Sequence, residues 1–166
     1  IKSEATDIHF QTDFGSYSTL MIACDDGMIR QVITNLLQNA VDAMTESDSP
    51  DQKVLIRLAV TPDTVRVMVV DNGPGLPVNN RKHLTELYVT HRKGGTGLGL
   101  AIVKKIMEDH GGSLYLTSMS DNNIDNDPDS NIDIELDPAL DKANAEGYHG
   151  ALVILNFVNR SEEPTG

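Results

Sequence analysis

Apolar and polar positions change their period several times along the chain. Ile8–Phe14 alternates, with Ile8 and Phe10 set against polar neighbours, and Leu20–Cys24 follows a turn at Gly15–Ser18. Period-two alternation predicts two strands. From Met28 to Met44 the spacing becomes helical: Val32, Ile33, Leu36, Leu37, Ala40, Val41 and Met44 share one stripe. Asp25 or Asp26 stands where a side-chain oxygen accepts an orphan N–H of that helix. Thr45–Gln52 is polar and reads as the turn that ends it. Two β-branched runs, Lys53–Thr61 and Val65–Val70, flank Pro62–Asp63 and predict a hairpin. Asn79–Leu87 predicts a short helix, and Leu98–His110 a longer one (Leu98, Ala101, Ile102, Ile106) that stops at Gly111-Gly112. Strands are expected at Ser113–Ser118 and Ala151–Val158. Together these predict an α/β domain of the α+β two-layer type, a mixed, mostly antiparallel sheet with helices on one face.

Composition narrows the function classes. The 166 residues are the length of one domain, expected to run over 1–166. Thirteen Lys and Arg against 25 Asp and Glu give a net charge of −12. That argues against nucleic acid or an anionic membrane as the main partner, since either needs clustered positive charge. Nine acids and one base (Lys142) fall within 121–146, a net −8 in a stretch also interrupted by Pro128 and Pro138. This acidic insert is expected to be a long solvated loop; it lacks the sixth-position glycine and closing Glu of an EF-hand calcium site. The single cysteine, Cys24, allows no internal disulfide and fits a reducing compartment. No apolar run approaches the roughly 18 residues of a membrane helix, and no secretory pattern opens the chain. The opening residue is Ile1 and not Met, so a fragment of a longer protein is expected.

Three segments can carry chemistry. Asn35, Asn39 and Asp42 lie at i, i+4 and i+7 and share a helix face. Amide oxygens beside a carboxylate suit Mg²⁺, a hard cation that keeps waters and substrate phosphates, while the alternative is an ordinary solvated face. Val70-Asp71-Asn72-Gly73-Pro74-Gly75 puts a carboxylate at a strand end, where it can accept a bond from an exocyclic amine while the glycines admit a flat ring. A common Asp-Gly turn is the competing reading. Gly95-Thr96-Gly97-Leu98-Gly99-Leu100 opens a helix whose free N–H groups and positive dipole end can hold phosphate. Its spacing is neither that of a dinucleotide-binding fold nor that of a P-loop.

The order of the three, Asn-x-x-x-Asn on a helix, Asp-x-Gly-x-Gly after a strand and Gly-Thr-Gly-Leu-Gly-Leu into a helix, resembles the GHKL (Bergerat) ATP-binding fold. More narrowly it is similar to the catalytic domain of a bacterial sensor histidine kinase. The stretches NLLQNAVDAM, DNGPGLP, LTELYVTHRKGGTGLGLAIVKKIMEDHGG and GALVILNFV carry the likeness over residues 8–118 and 147–158. Their details look most like nitrogen-regulation sensors of the NtrY and NtrB kind.

The resemblance implies that Asp71 accepts the adenine amino group and that Gly73 and Gly75 shape the purine pocket. It implies that Asn39 ligates the Mg²⁺ bridging the ATP phosphates with Asn35 beside it. Gly95, Gly97, Leu98 and Gly99 offer backbone N–H groups to phosphate, and Arg92 and Lys93 are the cations for the γ-phosphate. Asn35, Asn39 and Lys93 are the catalytic candidates, and Asp42, Ala43, Leu76, Tyr88, Thr96 and Leu100 complete the ATP-lining set. It also implies a cytoplasmic domain, whether or not the full protein is anchored in a membrane, and a response regulator as a further partner. The resemblance places the phosphoacceptor histidine on a separate dimerising helical domain, and none of His9, His83, His91, His110 and His149 matches it. The fragment alone is then expected to be monomeric.

Departures bear on the mechanism. Tyr88 replaces a phenylalanine usual in the lid motif, and Asp42-Ala43 replaces a cationic-aromatic pair, which puts more weight on Arg92 and Lys93. Asn35 stands where GHKL ATPases of the topoisomerase, mismatch-repair and chaperone branches carry a Glu that activates water. An amide cannot take that proton, so transfer is favoured over hydrolysis. Other readings are an anti-sigma-type serine kinase or a non-catalytic nucleotide-binding module. Asp71, Asn39 and the loop glycines speak against the module.

Overall fold

The computed structural model describes residues 7–46, 51–76, 98–119 and 138–159. In chain order they form β1 (Ile8–Asp13), α1 (Asp26–Thr45), β2 (Gln52–Val60), β3 (Thr64–Asp71), α2 (Gly99–Asp109), β4 (Ser113–Ser118), α3 (Pro138–Ala145) and β5 (Ala151–Val158). The strands make one sheet in the order β1-β2-β3-β5-β4. β1 runs parallel to β2, and the other three pairings are antiparallel, as the mixed, mostly antiparallel expectation requires. The expected helix Asn79–Leu87 and residues 121–137 of the acidic insert lie outside the described residues.

Strand alternation divides the apolar residues between two faces. Val54 of β2, Val65 and Val69 of β3, and Leu155 and Phe157 of β5 pack against Val32, Leu36, Ala40 and Met44 of α1 and Val103, Ile106 and Met107 of α2. Each fully buried Val, Leu or Met there contributes about 1.5–3 kcal/mol. α1 begins where the Asp25 carboxylate accepts the Met28 N–H at 2.9 Å, which decides between the two candidate caps. α2 ends in a Schellman motif: Gly111 adopts φ +68, its N–H reaches the Glu108 carbonyl at 3.0 Å, and the Gly112 N–H reaches Met107 at 2.8 Å.

Three expectations need correction. Leu20–Cys24 is not a strand. Its alternation is real, with Leu20 and Ile22 packed on the helix-side core and Met21 84% exposed, but the ladder on that side of the sheet ends at β1. Gln52 does not belong to a polar turn. It opens β2, is 4% exposed, and its Nε2 donates to the Met44 carbonyl at 2.8 Å, joining the Glu46 N–H there at the end of α1. Finally, residues 138–145 of the acidic insert are helix, not solvated loop. Pro138 takes the first helical position, where its missing N–H costs nothing. Leu140 and Ala143, three apart, bury with Tyr148 against Leu55, Met68, Val70, Tyr115, Leu152 and Ile154 on the second face of the sheet.

Polar contacts fix α3 to that second face. Arg57, its side chain 5% exposed, lies 2.9 Å from Asp13 and 3.7 Å from Glu146, and Lys142 lies 3.3 Å from Asp13. The parallel register sets Asp13 directly opposite Arg57. Lys53 donates to the Glu146 carbonyl at 2.7 Å and stands 4.8 Å from the centre of the Tyr148 ring, whose hydroxyl donates to Gln11 at 3.1 Å. The Gly15 N–H chiefly, then Lys142 and Arg57, hold the Asp13 carboxyl below its ordinary value in spite of some desolvation.

Candidate functional site

The site lies where the C-terminal end of β3 meets the first residues of β5. Asp71, the last residue of β3, is 4% exposed. Its Oδ1 accepts the Gly73 N–H at 2.9 Å and the Ala151 N–H at 3.0 Å, while its main-chain carbonyl accepts the Gly150 N–H at 2.9 Å. Asn72 serves a different end: its Oδ1 accepts the Lys53 N–H at 2.9 Å and its Nδ2 donates to the Asp51 carbonyl at 2.6 Å, so it braces the start of β2. A Cβ on Gly73 would stand 3.2 Å from Asp71 Oδ1 and 3.5 Å from Met44 Cγ, with the Ala43 backbone at 3.9 Å. Gly75 has φ +80, and a Cβ there would sit 2.8 Å from Ser118 Oγ. That oxygen accepts the Leu76 N–H at 2.8 Å, tying the turn after β3 to the end of β4.

The helical side is built from α1 and the start of α2. Both atoms of the Asn39 amide lie 3.8 Å from where a Cβ on Gly99 would be, so this amide faces the first residue of α2. Leu98, the N-cap of α2, makes no side-chain capping bond. The Asn35 Nδ2 is buried with no partner among the described residues. Asp42 accepts from Gln38 at 2.7 Å on the exposed side of α1. Among the described residues no group of three or more His, Cys, Asp and Glu is arranged to hold a metal. The Asn39 amide oxygen is a donor of the kind a hard divalent cation takes.

The fold thus brings Ala43, Asp71 and Gly73 into one cluster, Gly75 and Leu76 into the turn beside it, and Asn39 against Gly99. Leu100 packs on the helix-side core. Tyr88, Arg92, Lys93, Gly95, Thr96 and Gly97 lie outside the described residues. Sequence reasoning missed three contributors: Ser118, Gly150 and Ala151. A glycine immediately ahead of a buried strand, as at Gly150, is a sign that another backbone approaches closely.

Comparison with known proteins gives the family and the fold. The family model for histidine kinase-, DNA gyrase B- and HSP90-like ATPases matches residues 24–140. The nitrogen regulation protein NtrY of Azorhizobium caulinodans is 46% identical over 96 residues, covering 55% of this chain and 12% of that protein. The sensory histidine kinase/phosphatase NtrB of Rhizobium leguminosarum bv. phaseoli is 35% identical over 105 residues, covering 54% of this chain and 27% of its own length. The chain therefore corresponds to a minor part of these relatives. Among solved structures, the nucleotide-free catalytic domain of the histidine kinase ThkA superposes with a TM-score of 0.63 at 26% identity, covering 91% of this chain and 80% of that one. The mycobacterial sensor histidine kinase MprB shares the fold, with a TM-score of 0.65 at 23% identity over 91% of this chain and 83% of its own. No helix among the described residues is long and apolar enough to cross a membrane. The chain belongs to the histidine kinase-, DNA gyrase B- and HSP90-like ATPase family, and relatives named as sensor histidine kinases are among those it resembles.

Proposed function

We propose that this domain binds Mg·ATP and donates the γ-phosphoryl group to a histidine on a separate helical dimerisation domain, from which a response regulator takes it. In that transfer the bond from the γ-phosphorus to the β–γ bridging oxygen breaks, ADP leaves with that oxygen, and a P–N bond forms on the imidazole, which gives up its proton. Asp71 accepts the adenine amine, and Gly73, Gly75, Leu76 and Ala43 shape the base pocket, with Asp42 and Tyr88 at its margin. Asn39 supplies an oxygen to Mg²⁺, and Asn35 supports it. Gly95, Thr96, Gly97, Leu98, Gly99 and Leu100 present backbone to the phosphates, while Arg92 and Lys93 meet the γ-phosphate. Mg²⁺ would supply neutralisation of phosphate charge. The protein's share is positioning and electrostatics, in keeping with the loose transition state of phosphoryl transfer. Such a domain works in the cytoplasm, where ATP is available.

The observation that carries the reading is the Asp71 carboxylate, buried at a strand end and oriented by two backbone N–H groups inside a glycine-lined cradle. The Asn35 Nδ2, buried with no partner among the described residues, supports the helical half, since such a donor fits a site completed by ligand. As an amide, Asn35 has no basic group for water activation, which favours transfer over hydrolysis. Calorimetric titration with ADP and a non-hydrolysable ATP analogue, with and without Mg²⁺, tests the reading. Binding of the analogue should strengthen with Mg²⁺, and Asn39→Ala should remove only that increment. An equal loss in EDTA would refute Asn39 as a ligand, and no binding of either nucleotide would refute the site.

A further inference from the structure

Gly150 and the first residue of β5, Ala151, hold Asp71 by both its main chain and its side chain. The Gly150 N–H is bonded to the Asp71 carbonyl at 2.9 Å, and the next N–H along, from Ala151, is bonded to Asp71 Oδ1 at 3.0 Å. This double attachment requires the two backbones to lie very close. A Cβ on Gly150 would stand 2.0 Å from Asp71 Oδ1, 2.6 Å from the Gly73 nitrogen and 2.8 Å from the Asp71 carbonyl oxygen. Two of those three atoms are backbone, so moving the Asp71 side chain would not by itself make room. The conformation at Gly150 does not itself demand glycine, because its φ is not among the positive values. The demand is the close approach alone.

We propose that Gly150, with the Ala151 N–H beside it, is a positioning element for base selection. Two donors on one oxygen fix the rotation of the Asp71 carboxylate, so the backbone of Gly73 and Ala151 sets the direction from which that carboxylate accepts a bond. A carboxylate held this way accepts from a 6-amino purine and repels the carbonyl oxygen of a 6-oxo purine, so the glycine sets adenine over hypoxanthine selectivity. This inference rests on the assignment of Asp71 to the adenine amine. It adds a residue that touches neither nucleotide nor metal and acts only through Asp71.

The test compares the affinities of ADP and inosine diphosphate by calorimetry for the wild-type domain and for Gly150→Ala. A charge-assisted hydrogen bond set against a repulsive contact should give the wild type a preference for ADP of at least about tenfold. Gly150→Ala should bring the ratio of the two dissociation constants close to one, with ADP losing most of its advantage. A purely structural role would lower the competent fraction for both nucleotides alike and leave the ratio intact, and that result would overturn the proposal. Should Gly150→Ala fail to fold, replacing Ala151 by its α-hydroxy acid turns the Gly150–Ala151 amide into an ester. That change removes the donor to Asp71 Oδ1 while leaving every side chain in place. The ratio should fall in this variant as well, and an unchanged ratio counts against the proposal. Absence of any ADP preference in the wild type would instead remove the adenine-amine assignment itself, so the two failures are distinguishable.

Discussion

Two substitutions at Asp71 separate its work in the fold from its proposed work on a base. In Asp71→Asn the amide oxygen can still accept the N–H groups of Gly73 and Ala151, now at 2.9 and 3.0 Å from Oδ1. The strand junction therefore stays formed, and the stability change should be small, under about 1 kcal/mol. The other end of the side chain, however, becomes an NH₂ donor that opposes the donor on adenine. Losing that charge-assisted bond costs roughly 1.5–3 kcal/mol, on the order of ten- to hundredfold in affinity. Asp71→Ala behaves differently, because it strands the buried Ala151 N–H without an acceptor, whereas the Gly73 N–H is only part-buried and can turn to water. The buried donor alone costs about 1–3 kcal/mol, which in a chain of this size lowers the melting temperature by about 2–12 °C. Thermal unfolding without nucleotide, followed by calorimetric titration of ADP into each variant, reads both quantities. Asn should lose affinity at nearly constant melting temperature, and Ala should lose both. Equal melting shifts for the two variants, or wild-type affinity in Asp71→Asn, would refute the reasoning.

Two further predictions concern the scaffold. Gln52→Leu removes the side-chain amide that donates to the Met44 carbonyl at the end of α1, a carbonyl the Glu46 N–H also reaches, and urea unfolding should show a loss of about 0.5–1.5 kcal/mol; an unshifted midpoint would mean that the bond is dispensable. Asp13 titrates below its ordinary value of 3.8, so its stabilising share is complete above that value and is lost as pH falls through the lowered one. The difference in unfolding free energy between wild type and Asp13→Asn should accordingly be constant from neutral pH down to about pH 5 and then shrink; a difference that persists undiminished at pH 2 would show that the carboxylate's charge is not what stabilises its contacts with the Gly15 N–H, Lys142 and Arg57.

The helical half of the site was legible in the sequence because it is made of side chains at helical spacing. Asn35 and Asn39 advertise themselves as polar groups four apart on an otherwise apolar stripe, and the same stripe placed α1 within two residues of its observed start. The strand-borne half was legible only at Asp71, Gly73 and Gly75, where turn chemistry writes itself into residue types. Gly150 escaped because its contribution is the absence of an atom, and that absence has meaning only once β3 and β5, 80 residues apart, are brought into register. Ser118 escaped for a related reason, since a hydroxyl at a strand end gives no hint that its acceptor role is for Leu76, 42 residues earlier. Composition misled at 138–145, where the acidic bias of the whole insert hid Leu140 and Ala143, two small apolar contacts that lay α3 on the sheet while Arg57 meets the Glu146 carboxylate and Lys53 donates to the Glu146 main-chain carbonyl. The same distinction separates the two faces. The helix-covered face carries residues whose identity chemistry dictates, whereas the second face is held by ion pairs and packing that many sequences could supply. Substitutions at Asn39, Asp71 and Gly150 should therefore act on nucleotide binding, and those at Arg57, Leu140 and Tyr148 on stability alone.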